Sequence, residues 1–277
     1  MKEGNNMLRT EMRNPNTTHI DKMSTMEMLQ VIQAENINAV NAVGAQLEDI
    51  GKAVDAITEA FNAGGRLIYM GAGTSGRTGV IDATECPPTF GVAPGQVVGI
   101  IAGGKETMFR ASENQEDNAE AGVKDLKEKE LTGKDVVVGV SAAGGAAYVI
   151  GGLEYAKSLG CVTVGLTSNA GTLLDQTADI SIVCDTGPEV ITGSTRMKAG
   201  TSQKLVLNML STCPMIKTGK VYENLMINLS ATNEKLIQRM KRIVSEITGI
   251  TTDEAEKYLQ QSDWNIRKAI ALYEARK

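Results

Sequence analysis

Five short runs of uninterrupted apolar character constrain this chain most: Arg66-Leu67-Ile68-Tyr69-Met70, Val97 to Ile101, Asp135 to Val140, Val162 to Leu166 and Ile180 to Val183. A strand with one face in water alternates apolar and polar residues. A run that is apolar at nearly every position predicts burial on both faces, as for a parallel strand held between two layers of helices. The stretches between the runs have helical character, which suits the long crossovers that parallel strands need. The expected fold is therefore α/β, a doubly wound parallel sheet flanked by helices. Such sheets place ligands at the carboxyl ends of their strands, so the loops that follow the five runs are the first places to look for chemistry.

The flanking segments read differently. Residues 1–23 are polar and turn-rich around Asn14-Pro15-Asn16-Thr17-Thr18, which predicts an extended N-terminal arm packed on a partner. Apolar residues then recur at spacings of three and four from Ser24 to Ala63, predicting two amphipathic helices, the first opened by a Ser24/Glu27 capping box. A long helix is expected after Gly200, another from about Val221 to Ile247, and two short helices between Thr251 and Lys277.

Composition narrows the function. With a formal charge of −5 over 277 residues the chain has no basic excess for nucleic acid, although a small anion needs only a few local donors. Cys86, Cys161, Cys184 and Cys213 are scattered without metal-like spacing, which predicts reduced thiols and a cytoplasmic protein. No apolar run approaches the roughly 18 residues of a membrane span. His19 is the sole histidine, so a histidine triad or multi-histidine metal site is not expected and acid/base work falls to carboxylates.

Three loops favour an anion. Gly71-Ala72-Gly73-Thr74-Ser75-Gly76-Arg77 satisfies GxGxxG at a strand-to-helix turn, but the second strand ends in Ala102-Gly103-Gly104 without the acid a dinucleotide ribose requires. The hydroxyls of Thr74 and Ser75 beside a helix N-terminus suit a phosphate monoester or a sugar hydroxyl better. The third strand leads into Ser141-Ala142-Ala143-Gly144-Gly145-Ala146-Ala147, and a third loop, Gly187 to Gly200, sets small hydroxylic residues beside Arg196 and Lys198. Among nearby carboxylates, Glu85 precedes Pro87-Pro88, which should stop its helix. Glu116 sits in a polar run from which sequence alone does not choose it over Glu113 or Asp117.

Taken together, these segments resemble the N-acetylmuramic acid 6-phosphate etherase family of the sugar isomerase (SIS) superfamily, which is similar to the glucokinase regulatory protein. The resemblance spans nearly the whole chain, through Arg13-Asn14-Pro15, Met70 to Arg77, Ile101 to Gly104, Lys204 to Asn208, Gly219 to Tyr222 and Asn224 to Met226. Its longest and most specific stretches are Glu85 to Val92 and Gly187 to Gly200. It implies a SIS-type sheet over residues 24–247, usually dimeric, with a small C-terminal helical, UBA-like unit at 248–277. It also implies a lyase reaction needing no cofactor or metal: elimination of the lactyl ether at C3 of the ring-opened sugar phosphate, then addition of water, giving N-acetylglucosamine 6-phosphate and D-lactate.

By the same resemblance Glu116 is the base at C2 and Glu85 the acid that protonates the departing lactate oxygen. The implied substrate contacts are Gly73, Thr74, Ser75, Gly76, Ser141, Gly144, Glu189, Ser194, Thr195 and Lys198. An acid that must hold its proton near neutral pH needs an enclosed setting, so Glu85 is expected to be buried. The chain departs from the family pattern where a Ser-Gly-Arg-Thr-Pro run is replaced by Ala143-Gly144-Gly145-Ala146-Ala147. Each lost bond to a charged phosphate costs roughly 1.5–3 kcal/mol, so two losses weaken binding by roughly a hundredfold or more. That departure motivates an alternative, a catalytically weak SIS module that binds a sugar phosphate and regulates a partner.

Overall fold

A computed structural model describes residues 7–110, 114–229, 231 and 233–277. The described chain forms two compact units, the first running to Thr84 and resuming at Gly95–Pro214, the second joining Glu85–Pro94 to Met215–Lys277.

The first unit is built on strands β1 (Leu67–Gly71), β2 (Val97–Ile101), β3 (Val136–Val140), β4 (Val162–Thr167) and β5 (Ile180–Val183). All neighbouring pairs are parallel, in the order β2-β1-β3-β4-β5. Every residue of β1 and β3 is buried, as continuous apolar runs require. Helices α1 (Thr25–Gly44), α2 (Leu47–Asn62), α3 (Gly73–Phe90), α4 (Ala119–Lys127), α5 (Ala147–Ser158), α6 (Leu173–Thr177) and α7 (Lys198–Lys217) complete the succession in that part of the chain. One layer packs Met70, Leu126, Val137, Tyr148 and Leu153 into a common core. Among the described residues no helix is long and apolar enough to cross a membrane, and none of the four cysteines is joined in a disulfide.

Three expectations need correction. The arm is not extended: it forms 3₁₀ turns at Arg9–Glu11, Pro15–Thr17 and Ile20–Lys22 and docks on its own unit. Asn14 Nδ2 donates to the Pro188 carbonyl at 3.1 Å, and Thr17 Oγ1 to that of Val190 at 2.8 Å. Pro87 and Pro88 do not stop α3, which continues through them to Phe90, and Gly91 N–H closes on the Pro87 carbonyl at 2.9 Å. The helix expected from Val221 starts only at Glu234, where Asn233 caps it, and Tyr222 and Leu225 form an isolated antiparallel bridge before it.

The second unit ends in α8 (Glu234–Thr248), α9 (Thr252–Gln261) and α10 (Ile266–Glu274), packed around Met240, Val244, Leu259, Ile266 and Ala269. Thr251 opens α9 with a capping box and Asn265 caps α10, so the sharp corners of this small bundle are written in its cap residues.

At the amino ends of the central strands, Asp135 clamps β3 to β1. Its Oδ1 accepts from the Arg66 backbone N–H at 2.8 Å and from Nε at 3.1 Å, while Oδ2 accepts from Nη2 at 2.8 Å and from Thr132 N–H at 2.9 Å. Burial pushes this carboxyl upward, but the hydrogen bonds from Arg66 and Thr132 outweigh it and hold the group below the ordinary carboxylate range. A depressed folded value means stability that is present above the unfolded value near 3.9 and is lost as pH falls through the folded one. Asp135→Asn should therefore cost roughly 2–4 kcal/mol at pH 7 in denaturant unfolding, with the gap to the unaltered chain closing below about pH 4. A gap that stays constant down to pH 2 would remove the clamp from the account.

Candidate active site

The sheet reverses its direction of winding between β1 and β3, since β1 is followed in sequence by β2 on one side and flanked by β3 on the other. Loops leaving the two strands diverge there and leave a crevice at their carboxyl ends. A cavity of about 290 Å³ occupies this position, bounded by Ala72 to Ser75 after β1, by Ser141 to Ala143 and Ala146 after β3, and by Glu11, Glu116, Gly193 and Thr195.

The glycine loop forms as it does because α3 opens at once, with Gly73 at φ +53°. The first N–H groups of α3, which have no partner within the helix, lie beside the cavity, and the hydroxyls of Thr74 and Ser75 belong to the same turn. Ser75 Oγ donates to Gln203 Oε1 at 3.1 Å; both side chains are buried, and Gln203 Nε2 has no partner among the described residues. Gly76 does not line the cavity. A Cβ on it would stand 2.4 Å from the Gly71 carbonyl oxygen, so this glycine lets α3 pack against β1.

The β3 loop keeps its shape without the side chains that the family pattern has there. Ser141 Oγ accepts from the Gly144 N–H at 3.1 Å, and the Gly144 carbonyl accepts from Leu174 at 3.0 Å. Gly144 lies at φ +74°, and a Cβ would come within 2.3 Å of Thr172 Oγ1, so its role is in the turn and not on the cavity wall. Ala142 O accepts from Ser168 N–H at 3.0 Å and from Asn169 Nδ2 at 2.9 Å.

Glu116 is fixed from behind: its carbonyl accepts from the Tyr148 N–H at 2.9 Å in the first turn of α5, whose N-cap residue Ala146 offers no side-chain cap. Its side chain is exposed where it meets the cavity. Asp117 is also exposed but does not line the cavity, and Glu113 lies outside the described residues. Arg77 steadies the loop between β2 and Glu116 by donating to the carbonyls of Thr107 at 2.6 Å, Met108 at 3.1 Å and Arg110 at 3.2 Å.

The other expected residues divide. Thr195 lines the cavity; Ser194 sits in the adjoining turn and does not. Glu189 is fully buried and caps α7, Oε2 accepting from Lys198 N–H at 3.1 Å and Oε1 from Ala199 N–H at 3.0 Å. Lys198 is 1 % exposed and pairs with Glu35 Oε2 at 2.5 Å, away from the β1/β3 cavity. Burial pushes the Glu35 carboxyl upward, but bonds from Lys198, Asn16 and Asn14 prevail and hold it low. Glu85 belongs to the second unit and is exposed on the penultimate turn of α3, so the burial expected for it is not met.

Two carboxylates were not singled out by sequence. Glu11 reaches the cavity from the arm, and no local pattern marks it. Asp82 is buried, accepting from Tyr69 Oη at 2.9 Å and Asn208 Nδ2 at 2.5 Å; burial raises its carboxyl above the ordinary range despite those bonds. The stretch from Gly79 to Asp82, apolar around a lone acid, was the available signal. Among the described residues no cluster of three His, Cys, Asp or Glu side chains is placed to hold a metal ion.

Comparison with known proteins agrees with this architecture. Residues 49–157 match the glucokinase regulatory protein N-terminal SIS domain, and residues 245–273 match a UBA-like domain. Among solved structures, a phosphoheptose isomerase from Neisseria gonorrhoeae superposes with a TM-score of 0.52 at 17% identity, covering 69% of this chain and 98% of that one. A phosphoheptose isomerase from Francisella tularensis gives 0.52 at 18%, covering 71% and 100%. At such identities these two speak for the SIS-type fold alone. Sequence relatives reach further: the N-acetylmuramic acid 6-phosphate etherase of Clostridium beijerinckii is 54% identical over 96% of this chain and 87% of its own length. That of Pasteurella multocida is 54% identical over 95% and 87%. Identity at that level over nearly the full length, on a parallel sheet whose switch-point crevice holds Glu116, makes this chain a member of the N-acetylmuramic acid 6-phosphate etherase family.

Proposed function

We propose that the chain is a carbon–oxygen lyase that releases D-lactate from N-acetylmuramic acid 6-phosphate and leaves N-acetylglucosamine 6-phosphate. The observation that carries this reading is the shared cavity, where the Glu116 carboxylate lines the same space as the first N–H groups of α3 and the Ser141 to Ala143 loop. An anion held at those donors puts the rest of a sugar phosphate within reach of a carboxylate, and the names of the relatives identify the same substrate.

In this reading the ring opens to the aldehyde, which acidifies the C2 proton. Glu116 takes that proton, the C2–H electrons form a C2–C3 double bond, and the C3–O bond breaks with its electron pair on the lactate oxygen. The family pattern assigns Glu85 the proton that oxygen needs. Water then adds across the double bond, its oxygen to C3 and a proton to C2, which restores both carboxyl groups to their starting states. Phosphate recognition falls to backbone N–H groups and to the hydroxyls of Thr74, Ser141 and Thr195, in place of the arginine and threonine missing from the β3 loop.

The same reading divides the chain into an arm at 1–23, a SIS domain at 24–247 and a helical unit at 248–277, and assigns it to the cytoplasm, where its four thiols stay reduced. It also makes the protein a homodimer. Met26, Leu29, Ile37 and Val40 are all exposed on α1 at helical spacing, and Leu47 at the start of α2 adds to them. A second copy covering that stripe removes it from water.

Glu116→Gln and Glu85→Gln should each keep the thermal midpoint of the unaltered chain and lose lactate release by roughly a hundredfold or more, read by coupled assay of D-lactate. Full turnover in either variant would discard the role given to that residue. Leu29→Asp combined with Val40→Asp should convert a dimer to a monomer in sedimentation velocity; an unchanged sedimentation coefficient would move the interface elsewhere.

A further inference from the structure

The docked arm delivers a second carboxylate to the cavity, beside Glu116. Thr10, next to Glu11, is 1 % exposed and tied to Asn169 twice: its N–H donates to Oδ1 at 3.4 Å, and Asn169 Nδ2 donates to its hydroxyl at 3.1 Å. Further along the arm, Asn14 holds the Pro188 carbonyl. The backbone of Glu11 is thus anchored on both sides while its own side chain, exposed at the cavity, makes no hydrogen bond or ion pair among the described residues. Gly193, at φ +75°, makes room for it: a Cβ there would lie 3.3 Å from Glu11 Oε2.

The chemistry of the lining says what such a group can meet. Among the described lining residues there is no lysine or arginine, and the donors come from the α3 N-terminus, the β3 loop and a few hydroxyls. A phosphate offers only acceptor oxygens and negative charge at neutral pH, and an ionised carboxylate also only accepts. Glu11 therefore gains nothing from the phosphate and must meet the part of the ligand that carries donors. In a sugar phosphate these are the hydroxyl groups and the N–H of an acylated amine. We infer that Glu11 is a substrate-binding residue of this site, accepting hydrogen bonds from the sugar portion and selecting donor-rich sugar phosphates over other phosphate monoesters. The inference rests on the assignment of the cavity as the sugar-phosphate site.

Calorimetric titration of the full chain with N-acetylglucosamine 6-phosphate and, separately, with inorganic phosphate tests it. Glu11→Ala should weaken the sugar phosphate by roughly tenfold or more, the loss of a charged hydrogen bond, and leave inorganic phosphate within about twofold. Glu11→Gln, whose amide oxygen still accepts, should fall between. The thermal midpoint should not move, because the docking bonds come from Thr10, Asn14 and Thr17. Unchanged sugar-phosphate affinity in Glu11→Ala overturns the inference, and so does an equal loss for both ligands, which would mean a disturbed phosphate cradle. A fall in kcat with unchanged affinity would make Glu11 an acid or base and also overturn it. If the unaltered chain binds the sugar phosphate through Glu11 but releases no lactate, the lyase reading fails and this one stands; no binding at all ends both.

Discussion

The parallel pairing of β1 with β3, in register from Leu67↔Val136 to Gly71↔Val140, is the interaction on which the site depends. These strands are far apart in sequence, and what brings them together is burial of two continuous apolar runs, fixed at the amino end by the Arg66–Asp135 clamp. Their pairing sets two glycine-rich loops side by side at the carboxyl end. Because β1 passes on to β2 and not directly to β3, nothing closes the space between those loops. The helix that starts at Gly73 and the loop at Ser141 then share one cavity, to which the anchored backbone of Glu116 adds a carboxylate.

In the proposed reading an anion is held without a cation in the lining, because the nearby cations are engaged elsewhere. Lys198 is spent on Glu35 inside the first unit, a buried pair in which each charge compensates the cost of burying the other. Arg77 holds the Thr107 to Arg110 carbonyls. What remains for a phosphate is a set of preorganised N–H groups and hydroxyls, directional donors that need no counter-charge of their own. The alanine-rich β3 loop fits that scheme. Its turn is set by Gly144 against Thr172 and by the Ser141 hydroxyl, so backbone geometry survives the absence of the longer side chains.

The sheet was legible in sequence because a buried parallel strand is apolar at every position, and each of the five runs falls within a residue of an observed strand. Helix starts were legible where a cap was read, as at Ser24. The arm was not, since its bonds to Asn169, Pro188 and Val190 join residues more than 150 positions apart and leave no local pattern. The same blindness explains Glu11, brought to the cavity only by that docking, and Lys198, which reads as an anion donor until Glu35 is placed beside it. Glu189 and Gly144 stand in stretches that the family pattern singles out, but the structure gives both to the framework: one caps α7, the other shapes a turn.

Elimination followed by hydration differs from direct displacement at C3 in that the C2–H bond is broken and remade, and that difference is measurable. Turnover of N-acetylmuramic acid 6-phosphate by the purified chain in D₂¹⁸O should place deuterium at C2 and ¹⁸O at the C3 hydroxyl of the sugar product and release D-lactate without ¹⁸O, as removal of the C2 proton and cleavage of the C3–O bond require. Protium retained at C2, ¹⁸O in the lactate, or no lactate at all, would contradict the proposed proton removal at C2 and departure at C3.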